Sequence, residues 1–405
     1  MVRENDKKQV KTVINTAQSV PEESVNEDKV LTAIGLMSGT SLDGVDAALV
    51  RTDGRDILTF GPTLHKAYSP EIKAWVNRAI KAALEGRDGA TDIGKATGEV
   101  TQIHVEAVES LMEANGLRRD QIDVIGFHGQ TILHRPSKPP IITLEDQGRT
   151  WQIGDGQVLA DELGIDVVNN FRAADIMMGG EGAPLAPVYH AALVRKLDRD
   201  HAVGVLNLGG VGNITFVPKD GSNSGLVAFD CGPGNGLVDE WMALKTGEAM
   251  DKGGATARKG KVHTEILRMM LLLPYMRRKP PKSLDRYDFK LDPVLELNVD
   301  DGAATLTAFS AACVRASEQY LPEPVGEWIV CGGGRHNAAM MEALSKAVSA
   351  KVFMAEDVGW RGDDLEAECF AYLAVRSLKK LPLSFPKTTR APHALHGGVH
   401  CKAPI

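Results

Sequence analysis

The chain has 405 residues, of which 43% are apolar and 24% charged, and its formal net charge is -7. That length suits two domains of roughly 170 to 200 residues, and an acidic balance without a dominant basic stripe argues against nucleic acid or an anionic membrane as partner. The five scattered cysteines include no C-x-x-C pair, which argues against a disulfide framework or a zinc site, and no apolar run reaches the ~18 residues of a membrane helix.

Residues 1–28 are polar and charged, lack the apolar stretch of a signal peptide, and are expected to be a mobile tail on a cytoplasmic protein. Order is expected from Val30. VLTAIGLM reads as a strand entering a glycine turn, DAALVRT as the next strand and ILTFGPTLHKAY as a third. Ser69-Pro70 opens a helix, since serine caps well and Pro70 sits where a missing N–H costs little. Ile72, Trp75, Val76, Ala79, Ile80, Ala83 and Leu84 follow at helical spacing. A second helix carries Ile93, Ala96, Val100, Ile103, Ala107 and Leu111 on one face and stops at Asn115-Gly116. DVIGFHG returns to strand.

The second half begins in the same way. HAVGVLNLGG, GNITFVP and LVAFDCGPG read as three strands with glycine turns. Helices are expected over Leu237–Thr246, Thr264–Leu273, Ala303–Gln319 and Ala338–Val348. EWIVCGGG and VFMAEDVG are further strands, and a helix from Leu365 to Leu378 follows. A strand-rich, glycine-turned block followed by helices thus occurs twice, which suggests an internal duplication and α/β layers. The expected division is an N-terminal α/β domain over 29–200, a C-terminal nucleotide-binding α/β domain over 201–390 and a tail over 391–405. The charged stretch RKLDRD marks the boundary. Arg277, Arg278, Lys279 and Lys282 are expected to form a solvated basic loop.

Four glycine turns carry the candidate chemistry. The first, Gly35 to Asp46, contains Gly39, Thr40, Ser41, Leu42, Asp43, Gly44, Val45 and Asp46. Small residues admit a phosphate close to the backbone, hydroxyls add donors, and carboxylates can hold hydrated magnesium; a tight hairpin with Asx-turn chemistry is the structural alternative. No Walker loop is present. The second turn holds Gly209 and Gly210, the third runs Asp230-Cys231-Gly232-Pro233-Gly234, and the fourth holds Gly332, Gly333 and Gly334 before a helix. A bare backbone at a strand end is where nucleotides gather in α/β folds.

GLMSGTSLDGVD resembles the N-terminal ATP-binding signature of the anhydro-N-acetylmuramic acid kinase family. GFHGQT, QIG, FRAAD, GGEGAPL with Pro187 and His190, NLGGVGN, DCGPGN, DKGGATA, PPKS, CGGGRHN and Glu366-Ala367 follow in the family's order, over about residues 31 to 390. Two departures stand out: Leu284 to Phe289 replaces a T-G-R-E-x-F pattern, and Arg390 follows Thr388-Thr389 where a glycine is expected. The resemblance implies a two-domain actin/hexokinase-like (ribonuclease H-like) fold with an interdomain cleft. It implies an ATP- and magnesium-dependent kinase that opens the anhydro bridge of its sugar with water and phosphorylates O6. Asp175, otherwise readable as a turn or cap residue, matches the family's catalytic base. His128, Gln130 and Arg172 are expected on the sugar side, and Asp43 and Asp230 near magnesium, acting through water. Small molecules are the expected partners, with a homodimer the default assembly. Two other readings stand beside this one: a levoglucosan kinase, and a non-catalytic ATP-binding regulator on an actin-like scaffold.

Overall fold

The computed structural model describes residues 29–137, 143, 146–284 and 289–404. The expected tail over 1–28 and most of the Leu284–Phe289 departure lie outside the described residues. Strands β1 (Leu31–Ser38), β2 (Gly44–Thr52) and β3 (Ile57–Ala67) form an antiparallel meander. Helices α1 (Pro70–Leu84) and α2 (Thr91–Ala114) follow, and the Ser69 hydroxyl accepts from Ile72 N–H (3.2 Å) as the capping reading expects. β4 (Val124–Arg135) lies parallel to β1. β5 (Arg149–Ile153) pairs antiparallel with β4, and after α3 (Gly156–Leu163) β6 (Val167–Asn169) lies parallel to it. The chain continues through α4 (Ala173–Met177) and α5 (Pro187–Lys196).

The second sheet repeats the plan. β7 (Val203–Leu208), β8 (Gly212–Val217) and β9 (Val227–Gly232) are an antiparallel meander. After α6 (Gly236–Thr246), α7 (Thr264–Leu271) and α8 (Val299–Ser317), β10 (Glu327–Cys331) lies parallel to β7. α9 (Ala338–Ala347) then leads to β11 (Lys351–Met354), parallel to β10. The spatial orders are β3-β2-β1-β4-β6 and β9-β8-β7-β10-β11, so strand for strand both sheets have the ribonuclease H-like arrangement. Carried twice, that arrangement is the actin/hexokinase-like fold.

Strand alternation divides the apolar residues into three cores. Ile34 and Leu36 of β1 face an outer core under α1 and α2, and Leu206 and Leu208 of β7 face another under α6 and α8. Leu31 and Ala33, with Val203 and Val205, face a shared central core that contains α5 and α10 (Leu365–Leu378). α10 reaches the first sheet because two strands are bare beneath it. A Cβ at Gly35 would lie 1.8 Å from the Ala367 carbonyl, and one at Gly126 would lie 2.0 Å from that of Phe370.

The chain therefore returns to the first sheet at its end. After α11 (Pro386–Thr389), β12 (Val399–Cys401) pairs with β6, which corrects the expectation of a tail over 391–405. The reason is long-range: edge strand β6 offers a free side that a distant segment fills. The basic loop is corrected in one member. Arg277, Arg278 and Lys279 are exposed, but Lys282 is buried, its Nζ 4.6, 5.1 and 5.8 Å from the rings of Tyr275, Tyr320 and Phe229. Ring quadrupoles and the Tyr275 carbonyl (3.4 Å) replace water around that ammonium. Among the described residues no helix is long and apolar enough to cross a membrane.

Candidate active site

The first turn joins β1 to β2. Its hairpin is held by its own side chains: Asp43 Oδ1 accepts from the Ser41 hydroxyl (2.8 Å) and from Gly44 N–H (3.0 Å). This is the Asx chemistry of the structural alternative, and it leaves Thr40, Ser41 and Asp43 exposed. Leu42 and Val45, expected among the ATP-binding residues, point their side chains into the outer core, and Gly44 is covered by β3. A ligand on this turn can therefore reach Gly39, Thr40, Ser41 and Asp43. Gln130 is expected on the sugar side. It has no accessible surface, its amide donates to Gly39 O (3.1 Å), and it accepts from the Tyr68 hydroxyl (3.2 Å). Its place is beneath the turn, where it supports Gly39.

The three glycine turns of the second sheet converge. Asn235 N–H donates to Gly209 O (2.8 Å) and Gly236 N–H to Gly210 O (3.2 Å). Gly332 and Gly334 pack on Leu208, where a Cβ would lie 2.8 Å from the Leu208 carbonyl at Gly332 and 2.5 Å from its Cβ at Gly334. By contrast, a Cβ at Gly210 or Gly333 would meet nothing within 4 Å. These two glycines are not needed for packing, so bare backbone facing open space fits a nucleotide. Arg335 stiffens the fourth turn: it donates to Gly332 O (3.0 Å) and pairs with Glu356 (2.9 Å) and Asp363 (2.8 Å).

Between these turns lies a charged group. Asp46 pairs with His65 (2.7 Å). Burial pushes the Asp46 carboxyl up, and Asp43 adds to the rise against the pull of His65. Glu366, at the start of α10, is also pushed up, first by burial, then by Asp46 and Asp43, while Arg172 opposes. Yet Glu366 itself is exposed. Arg172 has Glu366 and Asp175 as charged neighbours and so links the first turn to the expected base. Its Nε donates to His128 Nε2 (3.1 Å) and its Nη1 to Gly182 O (2.9 Å). His128 is buried, donates from Nδ1 to Gly129 O (2.7 Å) and stacks on Phe370. Burial and Arg172 hold it neutral, with its pKa well below the usual histidine range. His128 thus orients Arg172.

Asp175 lies on α4 and is 2% exposed. Its Oδ1 accepts from Gly182 N–H (2.7 Å), and its Oδ2 accepts from the hydroxyls of Ser384 (2.5 Å) and Thr389 (2.6 Å). A carboxylate has about four acceptor positions, so three donors leave one, on Oδ1. A Cβ at Gly180 would lie 2.1 Å from Oδ1, so only glycine lets the loop pack this closely on the carboxylate. Ser384 and Thr389 carry no sequence signal of this role, being more than two hundred residues from Asp175 (209 and 214). Asp230, expected near magnesium, has other neighbours than Asp43. It accepts from Leu284 N–H (2.8 Å), and burial pushes its carboxyl up to about 7. Among the described residues no group of three or more His, Cys, Asp or Glu side chains is arranged to hold a metal by itself.

Comparison with known proteins bears on this site. The family model for anhydro-N-acetylmuramic acid kinase matches residues 31–402. The relative named anhydro-N-acetylmuramic acid kinase from Rhodospirillum rubrum is 46% identical over 376 residues, covering 93% of this chain and 96% of its own. That from Rhizorhabdus wittichii is 47% identical over 370 residues, covering 91% and 98%. Among solved structures, the (R)-2-hydroxyglutaryl-CoA dehydratase component A of Acidaminococcus fermentans is similar at a TM-score of 0.46 and 11% identity, covering 86% of this chain and 99% of that one. With a family model spanning nearly every described residue and relatives of this identity over their whole length, the chain belongs to the anhydro-N-acetylmuramic acid kinase family and is a kinase.

Proposed function

We propose that Asp175 is the base with which this kinase opens the 1,6-anhydro bridge of 1,6-anhydro-N-acetylmuramic acid, while O6 takes the γ-phosphoryl group of ATP. The products are N-acetylmuramic acid 6-phosphate and ADP. The observation that carries the reading is the one acceptor position of Asp175 that its three donors leave unused, on Oδ1. In an anhydro sugar O6 is an ether oxygen bonded to C1 and has no proton to lose. Water must attack C1 as the C1–O6 bond breaks, and the proton leaves that water. A carboxylate with one free position, its other three bound to fixed donors, is suited to receive it. Arg172, oriented by His128, fixes the Gly182 carbonyl and so the loop beside the base.

ATP is taken by Gly39, Thr40, Ser41 and Asp43 on one side and by Gly209, Gly210 and Gly332–Gly334 on the other; the open space at Gly210 and Gly333 supports this. The acidic group of Asp43, Asp46 and Glu366 suits a hydrated cation whose remaining ligands are phosphate oxygens. Bound there through water, magnesium would supply charge compensation for the γ-phosphate. Asp230 takes Leu284 N–H on Oδ2 and, with Asp43, would act on the cation through water. A cytoplasmic setting, supported by the free cysteines, and a homodimer complete the reading. Neither the levoglucosan nor the regulator reading is favoured by the names of the relatives. The test is turnover in heavy-oxygen water with ADP release followed in parallel. ADP release should require the sugar, and label should enter at the anomeric carbon and not at O6. Label on O6 would overturn the reading.

A further inference from the structure

Beside Asp175 lies an ion pair that the reaction does not need. Glu181, buried between Gly180 and Gly182, pairs through Oε1 with Arg390 Nη2 and accepts through Oε2 from the Ser283 hydroxyl. Arg390 Nη2 also approaches the Pro281 carbonyl (3.5 Å). Ser283 and Pro281 belong to the second unit's loop, whose Lys282 is clamped among Tyr275, Tyr320 and Phe229. The Glu181 backbone N–H donates to Thr389 O (2.6 Å), and the Thr389 hydroxyl holds Asp175. One residue to either side, Gly180 N–H donates to Asp175 O (2.8 Å) and Gly182 N–H to Asp175 Oδ1 (2.7 Å).

The Arg390 backbone has the left-handed conformation that glycine would favour, φ +62°. A non-glycine residue is disfavoured there. The guanidinium is therefore present in spite of the backbone. What it meets is a carboxylate that would otherwise be buried without a counter-charge.

We infer that Arg390 is a positioning residue that clasps Glu181 against Ser283 and thereby holds the Gly180–Gly182 loop, and with it Asp175, in register with the second unit. The inference rests on the reading of Asp175 as base. Without the clasp Glu181 has reason to turn towards water, and its neighbours Gly180 and Gly182 move with it. The unused acceptor position on Oδ1 then no longer faces one fixed direction, and a small misplacement of a catalytic group costs rate steeply. ATP binding, which uses other turns, is untouched.

Two variants test this. Arg390→Gly keeps the left-handed backbone and removes the guanidinium. The double variant Arg390→Gly/Glu181→Gln also removes the orphaned carboxylate, so it folds even if the single variant does not. Each is assayed for kcat and KM with anhydro-N-acetylmuramic acid, for ATP affinity by calorimetry, and for amide exchange at Gly180–Gly182. The clasp requires kcat to fall about tenfold or more in both, ATP affinity to hold, exchange at Gly180–Gly182 to quicken, and Arg390→Lys to recover part of the rate. Wild-type kcat in a folded variant, or a slow variant with unchanged exchange, overturns it. If Asp175→Asn proves active, the base reading fails separately; the clasp then stands or falls on the exchange data alone.

Discussion

The two sheets share one strand order but contribute to the site in opposite ways. The first unit supplies side chains: Asp43 on the β1–β2 turn, Asp46 near the start of β2, and Arg172 and Asp175 at α4, each with a named hydrogen-bond partner. The second supplies backbone, with Gly210 and Gly333 facing open space. A duplicated scaffold therefore does not duplicate chemistry. The β1–β2 turn is fastened by Ser41 and Asp43, whereas the β7–β8 turn is fastened by neighbouring backbone from Asn235 and Gly236. The first mode leaves hydroxyl and carboxylate groups exposed on the turn; the second leaves bare backbone and room.

The contrast breaks most sharply at Asp175. Asp175→Asn keeps shape and can still accept the three donors' bonds in part, but loses basicity. Turnover should fall by about 10²-fold or more with ATP affinity near normal. Steady-state kinetics and calorimetry on the same preparation decide this, and near-wild-type turnover would remove Asp175 from its role.

Glycines sharpen the comparison, because they serve different ends in the two units. Gly35→Ala in β1 drives a methyl into the Ala367 carbonyl of α10 and should destabilise the fold by about 3 kcal/mol, read from a urea melt. Gly210→Val in the second unit meets open space, so its melt should be unchanged while ATP binding is lost. Equal melting losses in the two variants would erase the distinction.

Acid should act on the two units with opposite sign. His104 in the first unit and His190 on α5 are buried, and His134 is half-buried; all three have pKa values pushed down to about 4, with loss of water around the ring the main cause. Their folded values lie below the unfolded value of about 6.5. Their stability is therefore full above that pH and lost as pH falls from about 6.5 towards 4, by a sum on the order of several kcal/mol. In the second unit the folded pKa of Asp230, about 7, lies above its ordinary 3.8. Its contribution is full below that lower value and is lost as pH rises towards 7. Urea midpoints against pH should drop steeply below 6.5, and Asp230→Asn should recover stability only at the neutral end. A recovery at pH 4 would contradict the assignment.

The smallest expected effect lies under the first turn. Gln130→Ala removes one hydrogen bond to Gly39 O and should weaken ATP binding by about 1 kcal/mol. An unchanged dissociation constant would show that the turn holds itself through Ser41 and Asp43 alone.

Much of this was legible along the chain. Period-two and helical spacing place β1 to β3, α1, α2 and the second meander, because each is a local pattern whose faces must meet opposite cores. The Ser69 cap and the four glycine turns are local too. α8 begins at Val299, ahead of the expected Ala303, because Asn298 caps it through Asp301 N–H (2.9 Å). The stretch from β5 to α5 is short elements with little periodicity, and there a family resemblance, not a pattern, singled out Asp175. Lys282 shows the limit of reading charge as exposure: three aromatic rings far apart in sequence bury it.

The sequence by itself thus determined the duplicated α/β plan and the glycine turns, and a family resemblance pointed to Asp175 as the expected base. Only the tertiary structure decided what surrounds that base. α10 and β12 come back to the first sheet because Gly35 and Gly126 leave room for a helix and β6 leaves an edge open, and α11 between them packs by β9. That return brings Ser384, Thr389, Arg390 and Glu366 to Asp175 and its neighbours. Spacing along a chain encodes which face of an element is apolar, but not which distant segment will cover it. Hydrogen bonds across more than two hundred residues are fixed by that covering alone.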